Sequence, residues 1–269
     1  MILSSFGLRN FPEEKVFPFS LPLIENLENI PLKKPITFFV GENGSGKSTL
    51  LESLAYATNV PTVGGMSIEE DPLMESARSL GKMLSLRFQE KTNAGFFVRA
   101  EDFHGFVKNI LRSIAELDAE IQEIKDQWTG GDLDRALSTL KSERKGYTDR
   151  YTENFDGMSH GEGFLRFFNN RITGKGLYLI DEPEAALSPA RQLSLIKMIM
   201  DAVNTKGSQF IIATHSPIIM AIPDAQVLHF ENGTITETHY TETNHYQLTK
   251  AFIDAPERFI AAIQNEKLS

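Results

Sequence analysis

The sequence predicts an α/β fold with a largely parallel sheet, and three stretches predict it. Ile36-Thr37-Phe38-Phe39-Val40 is an apolar, β-branched run that leads into Gly41-Glu42-Asn43-Gly44-Ser45-Gly46-Lys47-Ser48-Thr49 and then a helical pattern from Leu50. Leu177-Tyr178-Leu179-Ile180 reads as a short buried strand ending in Asp181-Glu182. Phe210-Ile211-Ile212-Ala213 reads as another, ending in Thr214-His215. Helical patterns separate these runs, and strands that alternate with helices build parallel sheets.

Taken in order, residues 2–9 alternate weakly and suggest an edge strand, and prolines 12, 18, 22, 31 and 35 suggest extended segments and turns. Pro61, Gly64 and Gly65 end the first helix, and a further helix is expected from Asp71. Met83 to Phe88 and Phe96 to Ala100, joined by a turn at Thr92-Asn93-Ala94-Gly95, read as a hairpin. Residues 103–145 change character. Ile110, Ile114, Leu117, Ile121 and Ile124 form a helical stripe, Gly130-Gly131 breaks it, and Leu133, Ala136, Leu137 and Leu140 begin a second one. A helix with Phe164, Leu165, Phe167 and Phe168 follows Ser159-His160-Gly161-Glu162-Gly163. Ser188-Pro189 is an N-cap with proline at the first helical position, and Leu193, Ile196, Ile199, Met200 and Val203 are expected on that helix's inner side. Asn232-Gly233 turns a small hairpin, and a final helix carries Phe252, Phe259 and Ile263.

The chain of 269 residues is long enough for a substantial core, and 41% hydrophobic with 23% charged residues is ordinary globular composition. The absence of cysteine excludes disulfides, thiolate metal sites and cysteine nucleophiles. A net charge of −9 opposes non-specific DNA binding by the chain as a whole. The start lacks a basic, apolar leader, and the run from Phe210 to Ile222 is too short and too interrupted to span a bilayer. A cytoplasmic protein without membrane insertion is expected.

The spacing G-x-x-x-x-G-K-[ST] between strand and helix is that of a phosphate-binding loop. Its backbone N–H groups and the helix dipole would face an anion, Lys47 would reach the β- and γ-phosphates, and the Ser48 hydroxyl would hold Mg²⁺. Asp181 and Glu182 end a buried strand, where two acids are costly without a cation. Asp181 would anchor the metal and Glu182 would polarise a hydrolytic water. His215 ends the next strand and is a candidate for contacting the γ-phosphate. Ser159-x-x-Glu162 fits a capping box, and the same geometry would present N–H groups to an anion.

Together, GENGSGKST (41–49), SHGEG (159–163), LYLIDEPE (177–184), ALSPAR (186–191) and ATHSP (213–217) resemble, in order and spacing, the motifs of ATP-binding-cassette ATPases. DEPEAALSP, ATHSP and Leu8-Arg9-Asn10-Phe11 resemble the SMC, RecF and OLD-like branch. The resemblance implies a P-loop core with N-terminal antiparallel strands and an inserted helical subdomain: residues 1–102 and 171–269 as the ATPase core, 103–170 as the insert. It implies ATP on Gly41, Asn43, Gly44, Ser45, Gly46, Lys47, Ser48 and Thr49, catalysis by Lys47, Glu182 and His215, and Mg²⁺ at Ser48, Asp181 and a Q-loop residue, Glu101 or Gln89. It further implies a head-to-tail homodimer in which Ser159, His160, Gly161 and Glu162 complete the partner's site, with Ser188 in the D-loop. His160 and Glu162 replace the common glycine and glutamine of that signature. The expected function is an ATPase that acts on a partner protein or nucleic acid. A nucleotide-dependent regulator in a toxin or phage-defence pair, and an ATPase subunit of a membrane transporter, are the alternatives.

Overall fold

The computed structural model describes residues 1–9, 11–12, 16–63, 68–69, 71–92, 94–148 and 160–265. In chain order the elements are β1 (Leu3–Leu8), α1 (Pro22–Glu25), β2 (Ile30–Pro31), β3 (Ile36–Gly41), α2 (Lys47–Thr58), β4 (Thr62–Val63), α3 (Glu75–Met83), β5 (Leu84–Phe88) and β6 (Gly95–Arg99). Then come α4 (Ala100–Gln127), α5 (Leu133–Tyr147), α6 (His160–Arg171), β7 (Leu177–Asp181), α7 (Pro189–Lys206), β8 (Gln209–Ala213), α8 (Pro217–Met220), β9 (Gln226–Glu231), β10 (Thr234–Thr238), α9 (Asn244–Asp254) and α10 (Pro256–Asn265).

A seven-stranded sheet of order β10-β9-β3-β8-β7-β6-β4 forms the centre. It is parallel except for the β9–β10 hairpin, whose Asn232 and Gly233 take φ of 50° and 74° as a tight two-residue turn requires. Side chains alternate strictly between its faces. Phe39, Leu177, Leu179 and Ile211 meet one core with Leu50, Leu51 and Leu54 of α2. Phe38, Val40, Tyr178, Ile180, Phe210 and Ile212 meet the other with α6, α7 and α8. Burial on both faces is why these strands read as continuous apolar runs. On the second face, Phe103 of α4 meets Phe164 of α6 edge to face at 5.0 Å and 88°, and Phe96 meets Phe168 at 5.4 Å and 76°. Each such pair adds about 0.5–1.5 kcal/mol beyond its buried area.

The smaller sheet has the order β2-β1-β5 and is antiparallel. Buried Gln209 ties it to the large one: its Oε1 accepts from the N–H groups of Ile2 and Leu3, both at 2.8 Å, and its Nε2 donates to Leu3 O at 2.8 Å. α4 and α5 pack against each other over Ile110, Leu117, Ile121 and Leu137 and are braced by Arg144 on Asp118.

Four expectations from the sequence change here. β1 is the central strand of its sheet, not an edge. Residues 83–100 do not form a hairpin: β5 pairs with β1, while β6 pairs in parallel with β7 and β4. On α7, Ile199 is buried as expected and Ile196, Met200 and Val203 pack half-buried against the core, but Leu193 is 60% exposed and Gln192, Leu195 and Ala202 join the buried stripe. The final helix is two, broken at Ala255-Pro256, and Phe252 and Ile263 are exposed.

Candidate functional site

The registers bring four strand ends to one edge of the large sheet. Phe39 and Asp181 each lie opposite Ala213, and Arg99 opposite Asp181. Residues 42–46, Glu182, Thr214-His215 and Ala100-Glu101 therefore leave the sheet side by side, at the end where open α/β sheets bind ligands.

Gly44 and Gly46 adopt φ of 79° and 94°, and a Cβ on Gly46 would lie 2.7 Å from Leu23 Cδ2. Only glycine fits there without strain. The loop curls over the first residue of α2. Lys47 Nζ donates to the carbonyls of Gly41 at 2.7 Å and Glu42 at 2.9 Å, and Ser45 Oγ lies 3.5 Å away. Burial lowers the pKa of Lys47, while the carboxylates of Glu182, Asp181, Glu42 and Glu184 act in the opposite direction. Asn43 and Gly44 are exposed at the loop's outer side, and Thr49 follows Ser48 in the first turn of α2.

Ser48 Oγ donates to Asp181 Oδ1 at 3.3 Å. Asp181 is 5% exposed, and burial pushes its carboxyl up to about 7 against the Ser48 hydrogen bond, with Glu182 and Glu52 adding to the rise. A cleft of about 210 Å³ opens there, lined by Ser48, Glu52, Arg99, Glu101, Asp181 and Glu182 among others. Among the described residues no three His, Cys, Asp or Glu side chains form a metal-holding group. The hydroxyl and buried, under-compensated carboxyl nevertheless fit Mg²⁺, which takes oxygen ligands and fills most of its shell with water and phosphate.

Glu182 takes a left-handed φ of 46°, unusual for a residue with a side chain, and its N–H donates to Ala213 O at 2.9 Å. Its Oε1 lies 3.4 Å from His215 Nε2. Glu184 holds the start of the His215 loop: its carboxylate accepts from Thr214 Oγ1 at 2.8 Å and from the His215 N–H at 2.5 Å. Burial lowers the pKa of His215, and Lys47 adds to this. Its Nδ1 meets Nε2 of His245 at 2.7 Å.

Of the two Q-loop candidates, Glu101 lines the cleft. Gln89 lies beyond β5, its N–H donating to Ile2 O at 2.8 Å. Ser159 lies outside the described residues. His160 is the first residue of α6, and Gly161 sits so close to Arg191 and Ala186 that a Cβ would lie about 3.0 Å from each. Glu162 Oε1 pairs with Arg191 Nη2 at 2.8 Å. Ser188 caps α7 through its carbonyl, which accepts from the N–H groups of Arg191 and Gln192 at 2.9 and 3.0 Å. Gly161, Glu162 and Ser188 do not line the cleft at Ser48.

Sequence reading missed Glu52, Arg99, Glu184 and His245. Arg99 bridges Glu52 at 3.2 Å and Asp102 at 2.6 Å. Only Glu184 had a local signal, as the last acid of Asp181-Glu182-Pro183-Glu184.

Residues 107–220 match the family model for an AAA ATPase domain, and residues 14–64 match one for an AAA domain. A Methanosarcina acetivorans protein provisionally named as an ABC transporter ATP-binding protein is 29% identical over 65% of this chain and 61% of its own length, so the chain spans less than two thirds of it. The lipoprotein-releasing system ATP-binding protein LolD of Bordetella pertussis is 28% identical over 82% of this chain and 91% of its own. In fold, the chain resembles the Smc head domain of Pyrococcus furiosus with a TM-score of 0.50 at 15% identity, covering 95% of this chain and 99% of that one. Among the described residues no helix is long and apolar enough to cross a membrane. In its five motifs, its family matches and the P-loop at the edge of this sheet, the chain is similar to ABC-type ATPases, and in fold it is similar to an Smc head.

Proposed function

We propose that this chain binds and hydrolyses Mg-ATP at the interface of a head-to-tail homodimer and couples dimerisation to action on a partner protein or nucleic acid. The observation that carries the reading is the convergence of Ser48 with Asp181, 3.3 Å apart, beside Glu182 and His215. Lys47 exchanges the loop carbonyls that now hold its ammonium for β- and γ-phosphate oxygens, an exchange of like partners that needs little rearrangement. Ser48 and Asp181, with Glu101 as the Q-loop residue, hold Mg²⁺, which would offset negative charge on the transferring phosphoryl group. Glu182 orients and deprotonates the attacking water. His215 donates to the γ-phosphate. The start of α6, with Ser159, His160, Gly161 and Glu162, faces the partner's nucleotide, and Ser188 lies at the same interface.

The mass of Glu182→Gln in solution, measured by light scattering with and without Mg-ATP, tests this. The variant binds ATP and cannot complete the reaction, so its mass rises from 30.2 kDa to roughly twice that. A monomer with ATP demonstrably bound overturns the homodimer.

A second reading, an ATPase subunit serving a membrane partner, is favoured by the match to LolD along 91% of that protein. It predicts recovery of the native protein in the membrane fraction, and recovery free of membranes rejects it.

A further inference from the structure

His245 enters the site from the far end of the chain. It is the second residue of α9, whose start is fixed by Thr243: its buried hydroxyl donates to Tyr240 O at 2.7 Å and accepts from the Tyr246 N–H at 3.4 Å. Nε2 of His245 lies 2.7 Å from Nδ1 of His215, and the rings meet at 62° with centroids 4.6 Å apart. The two remaining ring nitrogens, His215 Nε2 and His245 Nδ1, are buried without a hydrogen-bond partner.

Two imidazole nitrogens at 2.7 Å share one proton, and two neutral arrangements are open. In the first, His215 carries its proton on Nδ1. Its bare Nε2 then points a lone pair at Glu182 Oε1, 3.4 Å away, and His245 buries an N–H that meets nothing. In the second, His245 carries its proton on Nε2 and donates to His215 Nδ1. His215 Nε2–H then lies 3.4 Å from the Glu182 carboxylate, close enough for its charge to act though not hydrogen-bonded to it, and His245 Nδ1 keeps a bare lone pair. Each arrangement leaves one ring N–H without a hydrogen bond, but only the second puts that N–H rather than a lone pair beside the Glu182 carboxylate, so electrostatic attraction favours the second. A positive charge on either ring is disfavoured on balance. Burial acts on both rings, Lys47 on α2 opposes a charge on either, and the positive end of α9 lies at His245. Glu182 and Glu42 pull the other way on His215, while Glu42 favours and His229 opposes a charge on His245.

We propose that His245 is a positioning residue for ATP hydrolysis: by donating Nε2–H to His215 Nδ1 it fixes the tautomer in which His215 presents Nε2–H to the γ-phosphate. The inference rests on the reading of His215 as a γ-phosphate contact. It makes the C-terminal helices part of the active site, since α9 sets the direction of a hydrogen bond that ends on the nucleotide. A structural role alone, filling the space beside His215, would need the ring but not its proton.

The test separates ring from proton. His245→Phe keeps a planar ring without a donor, and His245→Gln places an amide N–H near the position of Nε2. The expected result is that His245→Phe lowers kcat about tenfold with the KM for ATP within about twofold, part of the roughly 10²–10³ that one pre-organised donor is worth. His245→Gln recovers most of that loss. Long-range nitrogen–proton correlations of the imidazoles are expected to show His215 protonated at Nε2 in the unmodified protein and a mixture of tautomers in His245→Phe. An unchanged kcat in His245→Phe, equal losses in both variants, or an Nδ1–H tautomer of His215 in the unmodified protein each overturn the proposal. His215→Ala keeps the two readings apart. If it turns over normally, the γ-phosphate reading of His215 fails. If it is impaired while His245→Phe is not, only the role of His245 fails.

Discussion

The two halves of the proposed nucleotide interface are built in opposite ways. The half at the strand ends is buried and internally paired. Lys47 is 4% exposed and Asp181 5%, and the loop, the Ser48 hydroxyl and the Glu184 carboxylate fix the parts against one another. The half on α6 carries its charge outward: Glu162 is half exposed, and its partner Arg191 belongs to the next helix. A site that closes within one chain would be lined from both directions, yet the cleft at Ser48 is lined by neither Gly161 nor Glu162. The contrast is what a surface completed by a second copy requires: chemistry stored in the sheet, and a face left open to meet it.

The largest effect expected from breaking this asymmetry is in the buried half. Lys47→Ala removes the charge proposed to meet the phosphates, and phosphate release is expected to fall about 10³-fold or more. It also leaves the Gly41 and Glu42 carbonyls without their donor, which costs on the order of 1–3 kcal/mol in a melting experiment. Turnover within tenfold of the unmodified protein would mean that the loop does not bind the reacting phosphate.

A second, smaller effect belongs to Asp181. Its carboxyl titrates near 7 in the folded chain, against 3.8 when free. Between those values the folded protein binds more protons than the unfolded chain, so stability falls as pH rises through that window. In EDTA, Asp181→Asn is expected to be more stable than the unmodified protein at pH 8, by on the order of 3 kcal/mol more than at pH 5. Added Mg²⁺ should narrow the gap from the other side, by stabilising only the chain that keeps its carboxylate. A pH-independent difference between the two melting curves would show that Asp181 is not held at a cost.

How much of this could be read beforehand follows the same division. The strands at 36–41, 177–181 and 209–213 were legible because strands buried on both faces are continuous apolar runs, and their terminal residues inherit a location from them. The partner of a strand is not a local property. The alternation at 84–88 and 95–99 identified two strands correctly and joined them wrongly, since β5 and β6 belong to different sheets. The same limit hid Arg99 and His245. Arg99 finds Glu52 across 47 residues and His215 finds His245 across 30, and no periodicity within either segment anticipates such a meeting. On α7 the error was confined to one residue: Leu193 and Leu195 are both apolar, and only packing against the sheet decides that Leu195 is the buried one.

The smallest effect concerns the open half, and it tests whether α6 faces a second nucleotide at all. A bare carboxylate at Glu162, in the first turn of α6, would repel the partner's ATP, yet Glu162 is held by Arg191 at 2.8 Å, so the pair presents little net charge. In the single chain this exposed pair is worth at most about 1 kcal/mol, and Arg191→Ala should barely move the melting temperature. Across a closed interface the same substitution leaves a bare negative charge near the partner's phosphates, a repulsion of about 1 kcal/mol at surface dielectric and moderate salt. The homodimer carries this repulsion at both of its sites, so in the Glu182→Gln background Arg191→Ala is expected to weaken the ATP-bound dimer about thirtyfold, more at low ionic strength, and a further Glu162→Gln should restore it. Recovery by that second substitution is the decisive sign, because a loss caused by damage to α7 would persist when the charge is removed.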